Sequence, residues 1–435
     1  MDIKSVINKK RNRRELDRDE IKYFVGKYVK GEITEAQAAA LMSYIYVNGL
    51  TLDEIVIFTE EVASSGAKVD LTKIASELVD KHSTGGIGDK ITLILLPIIA
   101  ALDIPVAKIS SKGYGIAGGT IDKLQSIPGF NADISIDRFE EIVHKNRIGI
   151  VGQELNLAPA ESKLYKLRNE IGCGDSIPLI AISLMSLKLA TGSEKIVFDL
   201  TCGKGTYLKN RDEAKKLAKL LVLLGKRLNR KVGYTITLMD EPVGYAVGNI
   251  LEVKETIKAL NGKMAKDIQD TIFALGSVIL SLAFDKKDMN ENIDRIKNVI
   301  LSGKAMKKFK QLVTSQGGDS SYLDSPDKFP EAKYILPIYA SENGFIKEID
   351  AELIGDLARY LGAGRMNDNN EIDNTSGFIF EKKIGDEVKV GDILAYVHAN
   401  DESKALGAVK NIVDAYKFSE KKVIVQSRVL DTYGI

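Results

Sequence analysis

Cysteine is nearly absent from this chain: Cys173 and Cys202 are the only two in 435 residues. Two thiols make no disulfide framework, so a small stapled secreted domain is excluded and a reducing cytoplasm is the expected compartment. Histidine is almost as scarce, with His82, His144 and His398 only, and the Cys/His spacing offers no zinc site. An excess of either charge is missing too. Lys plus Arg total 61 and Asp plus Glu 60, a net charge of +1, which gives no general reason to bind nucleic acid or a membrane surface. Long apolar runs are lacking. The longest, Ile91 to Leu102, holds 12 residues including Pro97, against the ~20 that a membrane span needs. The first residues are polar and charged, without an apolar signal core. Secreted, fibrous, disordered and integral-membrane classes are thereby set aside.

What remains is ordinary globular material, 44% hydrophobic and 28% charged. At roughly 100–200 residues per domain the length implies two to four domains. The first 66 residues read as helices. Ile21, Phe24, Val25, Tyr28 and Val29 form one stripe at helical spacing, and Thr34 with Gln37 and Thr51 with Glu54 have capping-box spacing. From about residue 80, apolar runs alternate with helical stretches. Strands are expected at Ile104–Ile109, Ile148–Val151, Ile196–Leu200 and Val232–Ile236, and helices at Lys90–Leu102, Asp175–Ala190 and Asp212–Leu228. Further helices are expected at Lys263–Ala283 and Asn292–Gln316. Such alternation indicates an α/β unit with a mostly parallel sheet. Past the turn-rich stretch from Gly317 to Pro326, strands are expected at Tyr334–Tyr339, Gly377–Glu381, Ile393–His398 and Val423–Val429, a smaller C-terminal α+β unit.

Two segments carry the chemistry of anion binding. Asp80-Lys81-His82-Ser83-Thr84-Gly85-Gly86-Ile87-Gly88-Asp89-Lys90 runs straight into an apolar helix. Its glycines bring backbone N–H groups close to an anion, the helix start adds a positive dipole, and Lys81, Ser83, Thr84 and Thr92 add donors. The bland alternative is a capped surface turn. The second segment, Ser110 to Leu124, follows a strand and precedes a helix and is again rich in Gly and hydroxyls. Ligands of open α/β sheets sit at such carboxyl ends of strands; a long loop is the alternative. His82, inside the first segment, is a candidate general acid because an ordinary imidazole titrates near neutrality. His144 and His398 read as packing or surface residues. Arg168 has the donor fork to hold a planar polar ligand, although spacing alone favours a solvated salt bridge. The basic run Lys9, Lys10, Arg11, Arg13, Arg14 reads as a solvated helix face.

Together these segments resemble the pyrimidine-nucleoside and thymidine phosphorylases. The likeness covers Lys81-His-Ser-Thr-Gly-Gly-Ile-Gly-Asp89, Leu164-Tyr-x-Leu-Arg168, Asp175-Ser-Ile-Pro-Leu-Ile180, Glu241 to Asn249 and Leu361-Gly-Ala-Gly-Arg365. The hairpin from Lys383 to Ala395 is similar to that family's C-terminal domain, and to lipoyl and biotinyl carriers, but without a carrier lysine. The resemblance implies a helical domain from 1–66 plus about 160–193, a phosphate-binding α/β domain from about 75–159 plus 194–316, and a C-terminal α+β domain from about 330–435. It implies reversible phosphorolysis of a nucleoside to free base and pentose 1-phosphate in a cytoplasmic homodimer. Inorganic phosphate is the implied co-substrate, with no organic cofactor, no nucleic acid and no membrane partner. Phosphate would lie on Lys81, Ser83, Thr92, Ser110 and Thr120. The leaving base would be served by His82 and Arg168, with Ser183, Tyr165, Tyr114, Ile180 and Leu187 around it. A monovalent cation (K+) would take oxygens from Gly88, Lys90, Val243, Ala246 and Glu255.

The departures from the family pattern lie in the base pocket and the second loop. Ser111, Lys112, Tyr114, Ile116, Ala117 and Gln125 replace the family's Gly, Arg, Leu, His, Thr and Glu. Leu187 stands where the family has a base-binding lysine, and Lys188 is ~100° around the helix from it. Three alternatives stay open at this point: a phosphorylase for a purine or modified pyrimidine, a ligand-binding homologue without turnover, and a related transferase acting on phosphoribosyl diphosphate.

Overall fold

A computed structural model describes residues 1–67, 78–110, 112–113, 118–152, 157–285, 288–365 and 371–434. Four helices open the chain: α1 (Ile3–Arg11), α2 (Arg18–Val29), α3 (Glu35–Asn48) and α4 (Leu52–Ala63). Both expected capping boxes form, at Thr34/Gln37 and Thr51/Glu54, and a third forms at Asp17/Glu20. Each satisfies two N–H groups that a helix start otherwise leaves without partners. The basic run is only partly a solvated face. Lys10 is buried and holds Glu54 at 2.8 Å, and Lys9 holds Glu20 at 2.6 Å, so only Arg11, Arg13 and Arg14 are exposed.

The α/β unit follows as β1 (Val79–Ser83), α5 (Ile91–Ala101), β2 (Val106–Ser110), α6 (Thr120–Gln125), α7 (Ile136–Asn146), β3 (Ile148–Gly152), α8 (Pro159–Glu170), α9 (Ile177–Ala190), β4 (Lys195–Cys202), α10 (Arg211–Arg227) and β5 (Lys231–Leu238). Strands β1, β4 and β5 pair in parallel in that order, with Ser83 opposite Asp199, and β2 pairs in parallel with β3. Helices α8 and α9 leave the sheet and bury their apolar faces with α2, α3 and α4, Leu167, Leu179 and Met185 packing among Phe24, Leu41 and Phe58. Helix α5 is apolar on every side and is sealed against Lys266–Phe284 and Lys304–Ser315. The Lys266–Phe284 helix is long and apolar enough to cross a membrane by length and composition, but here its apolar residues form the floor of the α/β core.

Two expectations need correcting. The stretch 292–316 is two helices, Met289–Leu301 and Lys304–Ser315, because Gly303 turns the chain at φ +72°. No strand forms over 423–428. Instead Val429–Tyr433 is a strand, and it adds antiparallel to β5, so the end of the chain returns to the central sheet. The remaining C-terminal strands make two small antiparallel sheets around a separate core that includes Phe378, Phe380 and Val397.

Candidate active site

The carboxyl ends of β1, β2 and β4 face one another, and the charged residues in their apolar strands meet there. Lys81 is 1% exposed, its ammonium 2.9 Å from Asp199 and 3.3 Å from Thr92 Oγ1. Lys108, on β2, donates to the Lys81 carbonyl at 2.8 Å. Below them Asp80 accepts from Lys188 of α9 at 2.7 Å and from Ser193 at 3.2 Å, with Lys108 at 3.9 Å. Ser83 Oγ donates to Asp89 Oδ2 at 2.9 Å, and Asp89 Oδ1 accepts from Ile91 N at the start of α5. Burial works against the Asp89 carboxylate, but Lys81 and Lys123 hold its pKa below the ordinary value. Ser110 ends β2 and Thr120 opens α6, both half-buried. Ser111 and Tyr114 to Ala117 lie outside the described residues.

The second loop is pinned from two sides. Asp122 Oδ2 accepts from Gly113 N at 2.6 Å and Gly119 N at 2.8 Å. Asp122 Oδ1 accepts from Arg365 at 2.7 Å, and Arg365 also reaches the Gly113 carbonyl at 3.1 Å. Thus the Leu-Gly-Ala-Gly-Arg motif of the C-terminal part braces the anion loop. Gly118 has no room for a side chain, since a Cβ would stand 2.0 Å from Asn249 Oδ1.

His82 departs from the sequence reading. Part of its ring is accessible, but Nδ1 is sealed off without a hydrogen-bond partner. Burial, then Lys188, Lys108 and Lys81, push its pKa well below 6.5, because a further positive charge is unwelcome beside three lysines. A neutral imidazole, not a ready imidazolium, faces the loop near neutrality. Burial and Lys188 likewise push Lys108 well below its ordinary 10.5.

Arg168 also departs from its expectation. It is no solvated salt bridge but is 4% exposed, stacked 4.8 Å over the Tyr165 ring, with Nε and Nη1 lacking any hydrogen-bond partner. It lines a small notch of about 20 Å³ with Tyr165, Glu161, Ser183, Leu179, Ile182 and Met42, room for about one water. Ser183 Oγ donates to Glu161 Oε1 at 2.5 Å. Ile180 and Leu187 stand outside this notch. Ile180 is buried in the helical core, and Leu187 lies one helical turn beyond Ser183. Lys188, which lies ~100° off that face, is committed to Asp80. Among the described residues no hydrogen bond joins Arg168 to the glycine loops; the helical notch and the anion site are separate halves. A wider cleft of about 390 Å³, lined by Arg138, Glu141, Lys145, Lys307 and Lys310, contains none of these groups.

The implied cation site fails its test. Lys90 is wholly buried, and its ammonium lies 2.6 Å from the Val243 carbonyl, 2.9 Å from that of Ala246 and 2.7 Å from Glu255 Oε2. A potassium ion would need the same oxygens. Two unit charges 3 Å apart repel by ~5 kcal/mol even at an effective dielectric of ~20. The residues present do not fit the ion.

Sequence reading assigned no role to Lys108, Asp199, Asp80, Glu161 or Lys123, the last paired with Glu252 at 2.7 Å. A signal was available for Lys108 and Asp199: each is a charge flanked by apolar residues within a strand, a rare placement unless paired.

A helical bundle set beside an α/β unit with anion-binding loops at its strand ends defines the class, a glycosyl transferase. Family models agree: "Glycosyl transferase family, helical bundle domain" matches residues 4–66, "Glycosyl transferase family, a/b domain" matches 75–306, and "Pyrimidine nucleoside phosphorylase C-terminal domain" matches 345–419. The chain is 42% identical over 402 residues to the pyrimidine-nucleoside phosphorylase of Geobacillus stearothermophilus, covering 92% of this chain and 93% of the relative. It is 42% identical over 403 residues to that of Bacillus subtilis strain 168 (93% of each), and 39% identical over 428 residues to that of Staphylococcus haemolyticus strain JCSC1435 (98% and 97%). The chain belongs to the pyrimidine-nucleoside phosphorylase family and is a pentosyltransferase. Among solved structures, anthranilate phosphoribosyltransferase from Thermus thermophilus superposes with a TM-score of 0.58 over 73% of this chain and 99% of its own, at 16% identity, a likeness of fold alone.

Proposed function

We propose that the protein catalyses reversible phosphorolysis of a pyrimidine nucleoside. The observation that carries this is the buried Arg168 guanidinium beside Ser183, whose Nε and Nη1 have no hydrogen-bond partner, together with the relatives' names. A phosphate oxygen forms a bond to the anomeric carbon as the bond from that carbon to the base nitrogen breaks. The base leaves with the electron pair. Phosphate is held by Lys81, Lys108, Ser83, Thr92, Ser110 and Thr120, and the charge growing on the base is met by the free N–H groups of Arg168. Ser183 donates its O–H to Glu161 in a hydrogen bond, so its oxygen is left to accept. A donor and an acceptor side by side match a carbonyl next to a ring N–H, the edge of uracil and thymine. Cytosine presents an amine and a bare nitrogen there. His82 acts as a neutral hydrogen-bond donor to the leaving group. The notch admits no ring as it stands, so catalysis requires α4, α8 and α9 to part for the base and then close to exclude water. The relatives' names and the C-terminal family model favour the phosphorylase over a purine or phosphoribosyl-diphosphate reading.

The test is incubation with phosphate and a panel of nucleosides. Uridine or thymidine should yield free base and pentose 1-phosphate, and cytidine should react at least ~100-fold more slowly. Absence of pentose 1-phosphate from every nucleoside would sink the proposal. A homodimer through the helical domain is proposed as well, supported by Tyr46 and Val47, which α3 leaves exposed; light scattering should report twice the chain mass. Two buried free thiols support a cytoplasmic location.

Anion binding should also move protons. Lys108 and His82 are held below their ordinary pKa values by burial and by neighbouring ammonium groups. A dianion beside them raises both, so binding takes up protons and affinity rises as pH falls. Sulfate, which does not titrate in this range, isolates the effect. Calorimetry in buffers of different ionisation heat should show net proton uptake, reduced in Lys108→Met. Proton release on sulfate binding would contradict the arrangement.

A further inference from the structure

We infer that Lys90 is a tethered cation, replacing a diffusible one, and that this protein therefore has no requirement for K+. Lys90 is the cap of α5, where the helix dipole makes a positive charge unfavourable. Its ammonium is nonetheless fully buried and met by three oxygens at 2.6–2.9 Å, two carbonyls and a carboxylate. Three N–H donors meet three acceptors, which leaves none unsatisfied. The cage is itself pre-built: Glu255 accepts from Tyr245 N at 2.8 Å and Ala246 N at 2.9 Å, fixing the loop that supplies the two carbonyls. Gly88 lets the two loops touch, since a Cβ there would be 2.9 Å from the Val243 carbonyl. Lys90 thus ties the end of the anion loop to the 243–246 loop, and the latter pairs through Ala246–Val247 with strand Gly377–Phe380 of the C-terminal part. A free ion would make that link depend on cation concentration; a lysine makes it permanent.

The inference is independent of the nucleoside assignment, because its readout is stability and ion binding. The full chain is melted across a KCl series, with tetramethylammonium chloride holding ionic strength constant. The wild-type midpoint should be flat. Lys90→Ser removes the ammonium and opens the cage, so its midpoint should fall by roughly 5–10 °C without K+ and recover as K+ is added, by mass action. Equilibrium dialysis against rubidium, a potassium surrogate, needs no variant: the wild type should hold none stoichiometrically. One rubidium per wild-type chain, a wild-type midpoint that climbs with KCl, or a Lys90→Ser midpoint indifferent to KCl would each overturn the inference.

Discussion

Arg168→Met lowers kcat/KM for uridine by roughly 10²–10³, the usual effect of removing one donor aimed at developing charge, and leaves phosphate affinity unchanged. The residue is well placed for that split. It sits on α8, outside the sheet that carries the anion loops, and its Nε and Nη1 have no partner in the folded chain. Two buried guanidinium N–H groups without acceptors are a liability for folding, because their desolvation is not repaid by hydrogen bonds. Methionine fills the apolar part of the notch against Leu179, Ile182 and Met42 and removes that liability. The variant should therefore melt no lower than the wild type. A merely structural arginine would behave in the opposite way, with a lowered midpoint and near-normal turnover. Steady-state kinetics in uridine and in phosphate, read beside a thermal melt, separates the two.

Lys81→Ala weakens phosphate binding by roughly 100-fold and destabilises the fold as well. Lys81 and Asp199 are 1% and 2% exposed at the side chain and 2.9 Å apart. Removing the ammonium strands the carboxylate, which then costs about 3–5 kcal/mol of stability and repels the incoming anion. Asp199→Asn in the same chain removes the stranded charge. The double variant should recover most of the stability and only part of the phosphate affinity, since the direct charge on the anion is still gone. If the single variant keeps its phosphate KM, Lys81 is a strut for β1 and β4 and not part of the anion site.

How legible these arrangements were depended on how local their causes are. The capping boxes at Thr34 and Thr51 span three residues each and formed as read. The strand cores at 106–109, 148–151, 196–200 and 232–236 were set by short apolar runs. The anion loop was readable because glycine, hydroxyl and lysine crowd into one segment before a helix. Gly303, by contrast, splits a stretch whose apolar spacing looks continuous. The fate of a charged side chain was the least readable feature. Lys10, Lys90 and Lys188 look like surface lysines on paper, yet each is buried on a carboxylate from at least 44 positions away in the chain.

The amino-acid order alone settled what is periodic or contiguous: helices in the first 66 residues, alternation of strand and helix afterwards, and the chemistry of one glycine-rich turn. Only the tertiary structure decided which charges are neutralised and which are left over. It gave Lys90 three oxygens, surrounded His82 with ammonium groups, moved Leu187 out of the notch and left Nε and Nη1 of Arg168 without hydrogen-bond partners. The reason is that pairing of a buried charge depends on distance in space and on the dielectric around it, and neither is a property of neighbours along the chain.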